Sequence, residues 1–319
     1  MKIKFWGTRG SLPAPLSATG VRAKVRDALL AARGHKLETP EAIDAFIDTA
    51  LPFAVRGTFG GNSSCVQVAA GDGPYFICDL GTGVREFGAR MMAKHGAGKP
   101  QVYHVFMSHV HWDHIMGFPF FTPAYIPGNI IRIHGCHKVL EEAFLRQQAD
   151  PSFPVHFDKL AAQIEFITLE TDRDYEIDGL RVRVMAQHHA GESYGYRFER
   201  DGRSMVYSTD SEHKFDVLDE SYPFIGFFRD ADLVVFDAMY SYADAISVKE
   251  DWGHSSNIVA VEMAQMARVK HLVLFHHEPI YDDYTIETML GETIRFEEIN
   301  RDGHQVRVST AYDGLEIEL

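Results

Sequence analysis

Positive charge is what this sequence has least of for its size. Its 319 residues carry 31 Lys and Arg against 45 Asp and Glu, a formal net charge of −14. Proteins that grip long nucleic acids draw most of their affinity from clustered cations on phosphates. The balance therefore disfavours a long polynucleotide held on a broad basic face. It leaves room for a small phosphate ester held by metal ions, because bound cations reverse the local field. Cysteine is scarce too. Cys65, Cys78 and Cys136 are an odd, sparse set and no disulfide framework. Buried reduced thiols are expected, although Cys65 and Cys78 fall on strands that could be neighbours. No apolar run approaches the roughly 18 residues of a membrane span. The opening MKIKFWGTRG reads as a strand without a signal-peptide core. A cytoplasmic protein with no membrane partner is expected. Internal repeats and low-complexity linkers are absent as well.

What is present is an ordinary globular balance, 45 % hydrophobic and 24 % charged. Short strands, turns and helices alternate, which predicts one α/β unit over residues 1–319 with layered sheets. Lys2–Trp6 opens it as a strand. Residues 21–33 follow a helical pattern, with Val21, Val25, Ala28, Leu29 and Ala32 on one face and Gly34 at the end. A second helix starts at Thr39-Pro40 and stops before Pro52. The two read as a helical insertion over about residues 20–55, a lid or a dimer surface. Cys65–Ala69 and Tyr75–Asp79 predict a hairpin across Gly71-Asp72-Gly73. Helices are expected over 84–95, from about Lys138 to Ala149, and from Ser255 or Ser256 to about Arg268. Further strands are expected at Val102–Met107, Ile130–His134, Leu180–Val184, Leu233–Phe236, His271–Phe275 and Leu315–Leu319. Tyr194–Arg200 and Ser204–Ser208 should pair across Asp201-Gly202.

Met107, Met185, Ser208, Phe236 and Phe275 each close an apolar strand, with His or Asp a few residues away. Ligand sites in α/β proteins form where loops leave strand ends. The richest strand end carries His109, His111, Asp113 and His114 within six residues. Imidazole nitrogen and carboxylate oxygen are the ligands of Zn²⁺, Mn²⁺ and Fe²⁺ in hydrolytic sites. Residues two apart in an extended segment point the same way. His109 and His111 can thus hold one ion while the turn through Asp113-His114 aims at another. Packing gives no reason for four such residues at this spacing.

SHVHWDH resembles the H-x-H-x-D-H signature of the metallo-β-lactamase-fold hydrolases, and the resemblance continues along most of the chain. AQHHAGESYGYRFE resembles the third motif of that family and selects His189, with His188 its neighbour. MVYSTD resembles the fourth and offers Asp210 as a bridging carboxylate. LVLFHHEP resembles the fifth and favours His276 over His277. The resemblance implies a four-layer αββα sandwich of the metallo-β-lactamase type. It implies two divalent ions, zinc first and Mn or Fe as alternatives. His109, His111 and His189 would hold one, Asp113, His114 and His276 the other, with Asp210 between them. Strand alternation sends His188 and His189 to opposite faces, so one of each histidine pair should reach the metals. His104, His134, His137 and His156 match no motif position. Asp79, in FICDLGTG, resembles a carboxylate that braces the metal loop; a strand-end Asp capping the Gly81–Gly83 turn is the other reading.

Two cations about 3.5–4 Å apart can share a hydroxide and clamp an in-line displacement. Asp113 would then orient the attacking water or take its proton. VVFDAMYS followed by GHSS resembles the tRNA 3′-processing endonucleases (ribonuclease Z) and related phosphodiesterases. That resemblance makes His254 the acid for the leaving group and Asp237 its orienting carboxylate. The family usually has Glu there, so Asp237 departs from it by one carbon. FWGTRGSLP, GGNSSC and LFHHEPIYDD resemble a bacterial group of small metallo-hydrolases. The long arm of tRNA-processing members is not visible. The expectation is a dinuclear phosphodiesterase on a small phosphodiester such as a cyclic nucleotide, with homodimerisation by family analogy. A lactone, thioester or lactam hydrolase, and a non-catalytic di-iron sensor, are the alternatives.

Overall fold

The computed structural model describes residues 1–71, 73–214, 218–246 and 251–319. Asp72, the middle of the expected Gly71–Gly73 turn, lies outside the described residues. The strands run in chain order β1 Lys2–Gly7, β2 Cys65–Ala69, β3 Tyr75–Cys78, β4 Val102–Phe106, β5 Ile130–Gly135, β6 Gln163–Thr168 and β7 Asp174–Ile177. They continue with β8 Leu180–Gln187, β9 Ser193–Arg200, β10 Arg203–Ser208, β11 Leu233–Asp237, β12 His271–Phe275, β13 Arg307–Thr310 and β14 Glu316–Glu318. One seven-stranded sheet has the order β14-β1-β2-β3-β4-β5-β6, and a second β13-β12-β11-β10-β9-β8-β7. Each is antiparallel over one half and parallel over the other.

Alternation along each strand divides its side chains between two cores. Ile3, Phe5, Val66, Val68, Phe76, Cys78 and Phe106 point inward and meet Val182, Val184, Tyr196, Phe198, Tyr207, Val235 and Phe275 of the second sheet. Cys65, Ile77, Tyr103, Val105, Ile131 and Ile133 point outward under the helices Val84–His95 and Leu140–Gln147. The helices Pro223–Phe228 and Asn257–Met266 cover the far face of the second sheet. The result is the αββα sandwich expected from the sequence. Phe106, fully buried among Tyr196, Phe198 and His134, is a ring whose truncation costs about 3–5 kcal/mol by the behaviour of core Phe residues.

The structure departs from expectation in particular places. The first helix spans Ala18–Ala31 with Ser17 as its cap, and its expected apolar face is turned outward. Val21, Val25 and Leu29 are 48 %, 54 % and 67 % exposed. The helix is anchored instead by Lys24, whose buried ammonium lies 2.6 Å from Asp283 Oδ2 and donates to the carbonyls of Ala54 and Gly57. A buried cation with a carboxylate and two carbonyls has replaced the hydrophobic contact that the 3.6-residue period implied. Strand β8 runs on to Gln187, so Met185 is not its end. The helix expected over 138–149 is confined to Leu140–Gln147. The helix Asp283–Asn300 was invisible because three of its five buried positions are polar, Asp283, Thr293 and Glu297. Glu297 is satisfied there by Arg301 and the Val306 amide. The edge strands β6, β7 and β13 are half-exposed; β6 and β13 lack a clean alternation, and β7 alternates over only four residues. All three thiols are unpaired, with Cys65 and Cys78 buried on the adjacent strands β2 and β3. No helix among the described residues is long and apolar enough to cross a membrane.

Candidate metal centre

The parallel strands β3, β4, β10, β11 and β12 all deliver polar residues at their C-terminal ends. After β4 the chain runs through Ser108 to His109 and His111, then turns into the short helix Trp112–Ile115. Asp79, directly after β3, is fully buried and accepts four hydrogen bonds. They come from Ser108 N at 2.8 Å, Ser108 Oγ at 2.7 Å, Tyr207 Oη at 2.8 Å and His114 Nδ1 at 2.7 Å. Of the two readings of Asp79, the geometry is that of a brace on the metal loop. It fixes the His114 ring with Nε2 aimed at the cavity.

Side chains converge in four overlapping groups among the described residues; two include His254, with His189 and Asp210 or with Asp237 and His276, and two do not. In one of the latter, ligand atoms of His109, His111 and His189 lie within 4.8 Å of one another; in the other, those of Asp113, His114, Asp210 and His276 do. Asp210 faces both. Its Oδ1 is 3.2 Å from His114 Nε2 and 3.3 Å from His276 Nε2. Its Oδ2 is 3.6 Å from His109 Nε2 and 3.8 Å from His189 Nε2. Asp113 Oδ2 completes the second group, 3.1 Å from His114 Nε2 and 3.3 Å from His276 Nε2, and the Ser11 amide donates to it at 2.9 Å. Their sequence neighbours turn away. His188 packs beside Phe224, and His277 Nε2 binds the Ala311 carbonyl at 2.9 Å. Burial pushes the His277 imidazole down to about 3.

The residues fit divalent cations. His109 Nε2 and His114 Nε2 are buried without a hydrogen-bond partner, a costly state unless a further group satisfies them. The opposite nitrogens are occupied: His109 Nδ1 by Ser108, His114 Nδ1 by Asp79, His189 Nδ1 by the Gly253 carbonyl at 2.8 Å. That arrangement places the protons on Nδ1 and leaves Nε2 lone pairs for a metal. Burial, with the neighbouring imidazoles, holds His109 and His111 below the usual histidine range and therefore neutral. Burial opposes charge at His114 as well, but Asp113, Asp210 and Asp79 overcome it and raise its affinity for a proton. This corner is short of positive charge.

Backbone conformation and glycine set the geometry. Asp79, Asp210 and His276 have φ of +59°, +50° and +64°, a left-handed conformation that persists where the surroundings over-determine it. Glycines lie against three of the imidazoles. A Cβ at Gly253 would come within 2.5 Å of His189 Nδ1, one at Gly10 within 2.6 Å of the His276 ring, one at Gly191 within 3.0 Å of His111 Nε2. These contacts explain the glycines of TRGS, HAGES and WGHSS.

His254 stands beside both groups, its ring 5.0 Å from that of His276 and 5.1 Å from that of His189. Its Nδ1 is 2.8 Å from Asp237 Oδ2. Asp237, fully buried at the end of β11, also accepts from the Ser211 and Met239 amides. Burial disfavours a charged His254, but Asp237 outweighs it and raises the imidazole to about 9. The shorter Asp therefore reaches the histidine. Sequence reasoning missed Ser108, Tyr207 and the Ser11 amide. Ser108 had a signal in its place between β4 and His109; the other two come from distant segments.

Fold and side chains together define a metallo-hydrolase built on paired β-sheets. Residues 75–277 match the β-lactamase superfamily domain, and the chain belongs to that family. It is a metal-dependent hydrolase of the metallo-β-lactamase fold. A ribonuclease Z from Haloarcula marismortui is 24 % identical over 293 residues, covering 77 % of this chain and 88 % of that one. The metallo-beta-lactamase fold protein YhfI from Bacillus subtilis superposes with a TM-score of 0.65 at 15 % identity, covering 100 % of this chain and 98 % of its own. The short form of human tRNase Z does so with a TM-score of 0.59 at 18 % identity, covering 100 % and 99 %. Relatives named ribonuclease Z stand against the expectation, drawn from net charge, that a long nucleic acid is disfavoured as partner. That expectation is not borne out.

Proposed function

We propose that the chain is a dinuclear phosphodiesterase. His109, His111 and His189 hold one divalent ion, Asp113, His114 and His276 the other, and Asp210 spans them. The observation that carries this reading is the division of the Asp210 carboxylate, Oδ1 towards one group and Oδ2 towards the other. Zinc suits the imidazole-rich set, as do Mn and Fe. When bound, such an ion pair supplies an activated water and neutralises charge on the phosphoryl oxygens. The protein residues do the rest. Asp113, held by the Ser11 amide, orients the attacking water and accepts its proton at a carboxylate oxygen. Asp237 fixes the His254 ring through Nδ1, and Nε2 gives a proton to the departing oxygen.

The His254–Asp237 pair favours diesters over lactones, thioesters and lactams, and a sensor would need no acid. The cavity above the metal groups is about 310 Å³, which suits a compact diester such as a cyclic nucleotide. Metal analysis should find about two ions per chain. The loaded protein should hydrolyse cyclic nucleotides or linear diesters in preference to lactones and lactams, with an RNA included for comparison. One ion or none, or faster lactone than diester cleavage, would overturn the reading.

Gly253→Ala is a sharper local test. The added methyl collides with His189 Nδ1 at a position with φ of +83°. Affinity at the His109–His111–His189 corner should fall about 10–100-fold, as when a ligand's supporting contact is lost. Chelator competition reads this directly, and unchanged retention of both ions would remove His189 from the ligand set.

A further inference from the structure

Of three tryptophans, Trp6 is buried, whereas Trp252 is 59 % exposed two residues before His254. A large aromatic that is more than half exposed beside a reaction centre offers a contact surface. Trp252 lines the cavity over the metal groups together with His189 and Ala190. The same three residues form one wall of a second, open cavity of about 590 Å³, lined also by His188, Tyr222 and Glu212. The two spaces therefore adjoin at Trp252.

The backbone carrying Trp252 is held on both sides. Glu212 Oε1 accepts from the Asp251 amide at 3.1 Å and Oε2 from the Gly253 amide at 3.0 Å. The Glu212 amide in turn donates to the His188 carbonyl at 2.8 Å. The Gly253 carbonyl meets His189 Nδ1, so the indole is tied in position to a metal-facing imidazole. At the rim, Lys214 Nζ lies 2.6 Å from Asp251 Oδ1. The walls thus offer rings, two imidazoles, and charged groups engaged with one another, Lys214 lying against Asp251 and 3.8 Å from Glu212. Such a chamber suits a flat, uncharged ring better than a second phosphate, which Glu212 and Asp251 would repel. Its volume falls in the range of small-molecule sites.

We propose that this second cavity receives a nucleobase carried by the substrate, laid against Trp252, so that Trp252 selects nucleoside phosphodiesters. The proposal rests on the phosphodiesterase reading for the position of the phosphate. Stacking on one aromatic side chain is sequence-tolerant, so the selection is for a base rather than for a particular base.

The test is binding to the zinc-loaded protein, measured by titration calorimetry, of adenosine 5′-monophosphate and ribose 5-phosphate. Both ligands present the same phosphate to the metals and differ in the base. The nucleotide should bind about tenfold or more tightly, the size expected of one stacked base. Trp252→Leu, which keeps apolar bulk without a ring, should remove the difference, and Trp252→Phe should restore most of it. Equal binding of the two ligands, or a difference that survives Trp252→Leu, overturns the proposal. Binding needs no turnover. A protein that shows the difference but cleaves no diester fails only the activity reading; a diesterase without it fails only this one.

Discussion

Asp210→Asn should convert the protein from about two bound ions per chain to about one. The carboxylate has lone pairs on both oxygens. In the fold, Oδ1 lies 3.2 Å from His114 Nε2 and Oδ2 3.6 Å from His109 Nε2. An amide of the same shape keeps one oxygen and turns the other position into a donor, which repels a cation. One corner therefore keeps its anionic or carbonyl ligand and the other loses it. Burial works against a charged Asp210, but His276, His114 and His109 hold it well below the usual carboxylate range. It is thus ionised and ready for cations throughout the neutral range. Asp210→Ala should cost more, because no oxygen remains for either group. Elemental analysis after gel filtration, with chelator competition, separates these outcomes. Two ions held by Asp210→Asn with unchanged affinity would show that the carboxylate does not span the pair, and the dinuclear reading would go with it.

Much of this centre was legible because its residues come in short, chemically improbable strings. His109, His111, Asp113 and His114 occupy one strand-end loop, and no packing argument yields that pattern. The choice within the HH pairs followed from the family resemblance, strand alternation requiring only that one of each pair face the metals, and the structure turns His188 and His277 away to Phe224 and Ala311. Supporting groups were less visible. Tyr207 sits on an inward-facing position of β10, where a tyrosine reads as a core aromatic. Only the juxtaposition of two sheets brings its hydroxyl to Asp79. The Ser11 amide reaches Asp113 through main chain, which leaves no side-chain signature.

In the fold, the central strands with alternating or continuous apolar runs were readable, as was the edge strand β14, whereas the edge strands β6, β7 and β13 were not. The helix Asp283–Asn300 shows why periodicity fails where burial is polar. Thr293 gives its hydroxyl hydrogen to Met289 O and accepts from Asn257 Nδ2, and Glu297 pairs with Arg301. Each buried polar group is satisfied, so the helix is sound without an apolar stripe. The helix Ala18–Ala31 is the opposite case. Its apolar period is regular, yet the face that docks is the one bearing Lys24, which meets Asp283. Periodicity finds the helix but does not say which side is buried when an ion pair supplies the anchor.

His254→Ala should leave both ions in place and reduce kcat by about 10²–10⁴ on diesters with poor leaving groups, the usual contribution of a positioned general acid. The histidine belongs neither to the three-histidine group nor to the four-residue group, although its ligand atom lies within 4.8 Å of those of His189 and Asp210, and its ring lies 5.0 Å from that of His276. It is close enough to reach an oxygen leaving the phosphorus. Asp237, with Oδ2 2.8 Å from Nδ1, favours the protonated ring, raised to about 9 against the opposing effect of burial. A protonated acid near neutrality is what an alkoxide leaving group requires. A 4-nitrophenolate departs without help, so the variant should retain most of its rate on 4-nitrophenyl diesters. The ratio of the two rates isolates proton donation from any loss of binding or folding. Asp237→Asn should give a smaller loss in the same direction, since the ring keeps a partner but loses the charge that favours its proton. If His254→Ala slows both substrates equally, His254 positions the metal ligands instead; if it slows neither, the leaving group takes its proton from elsewhere.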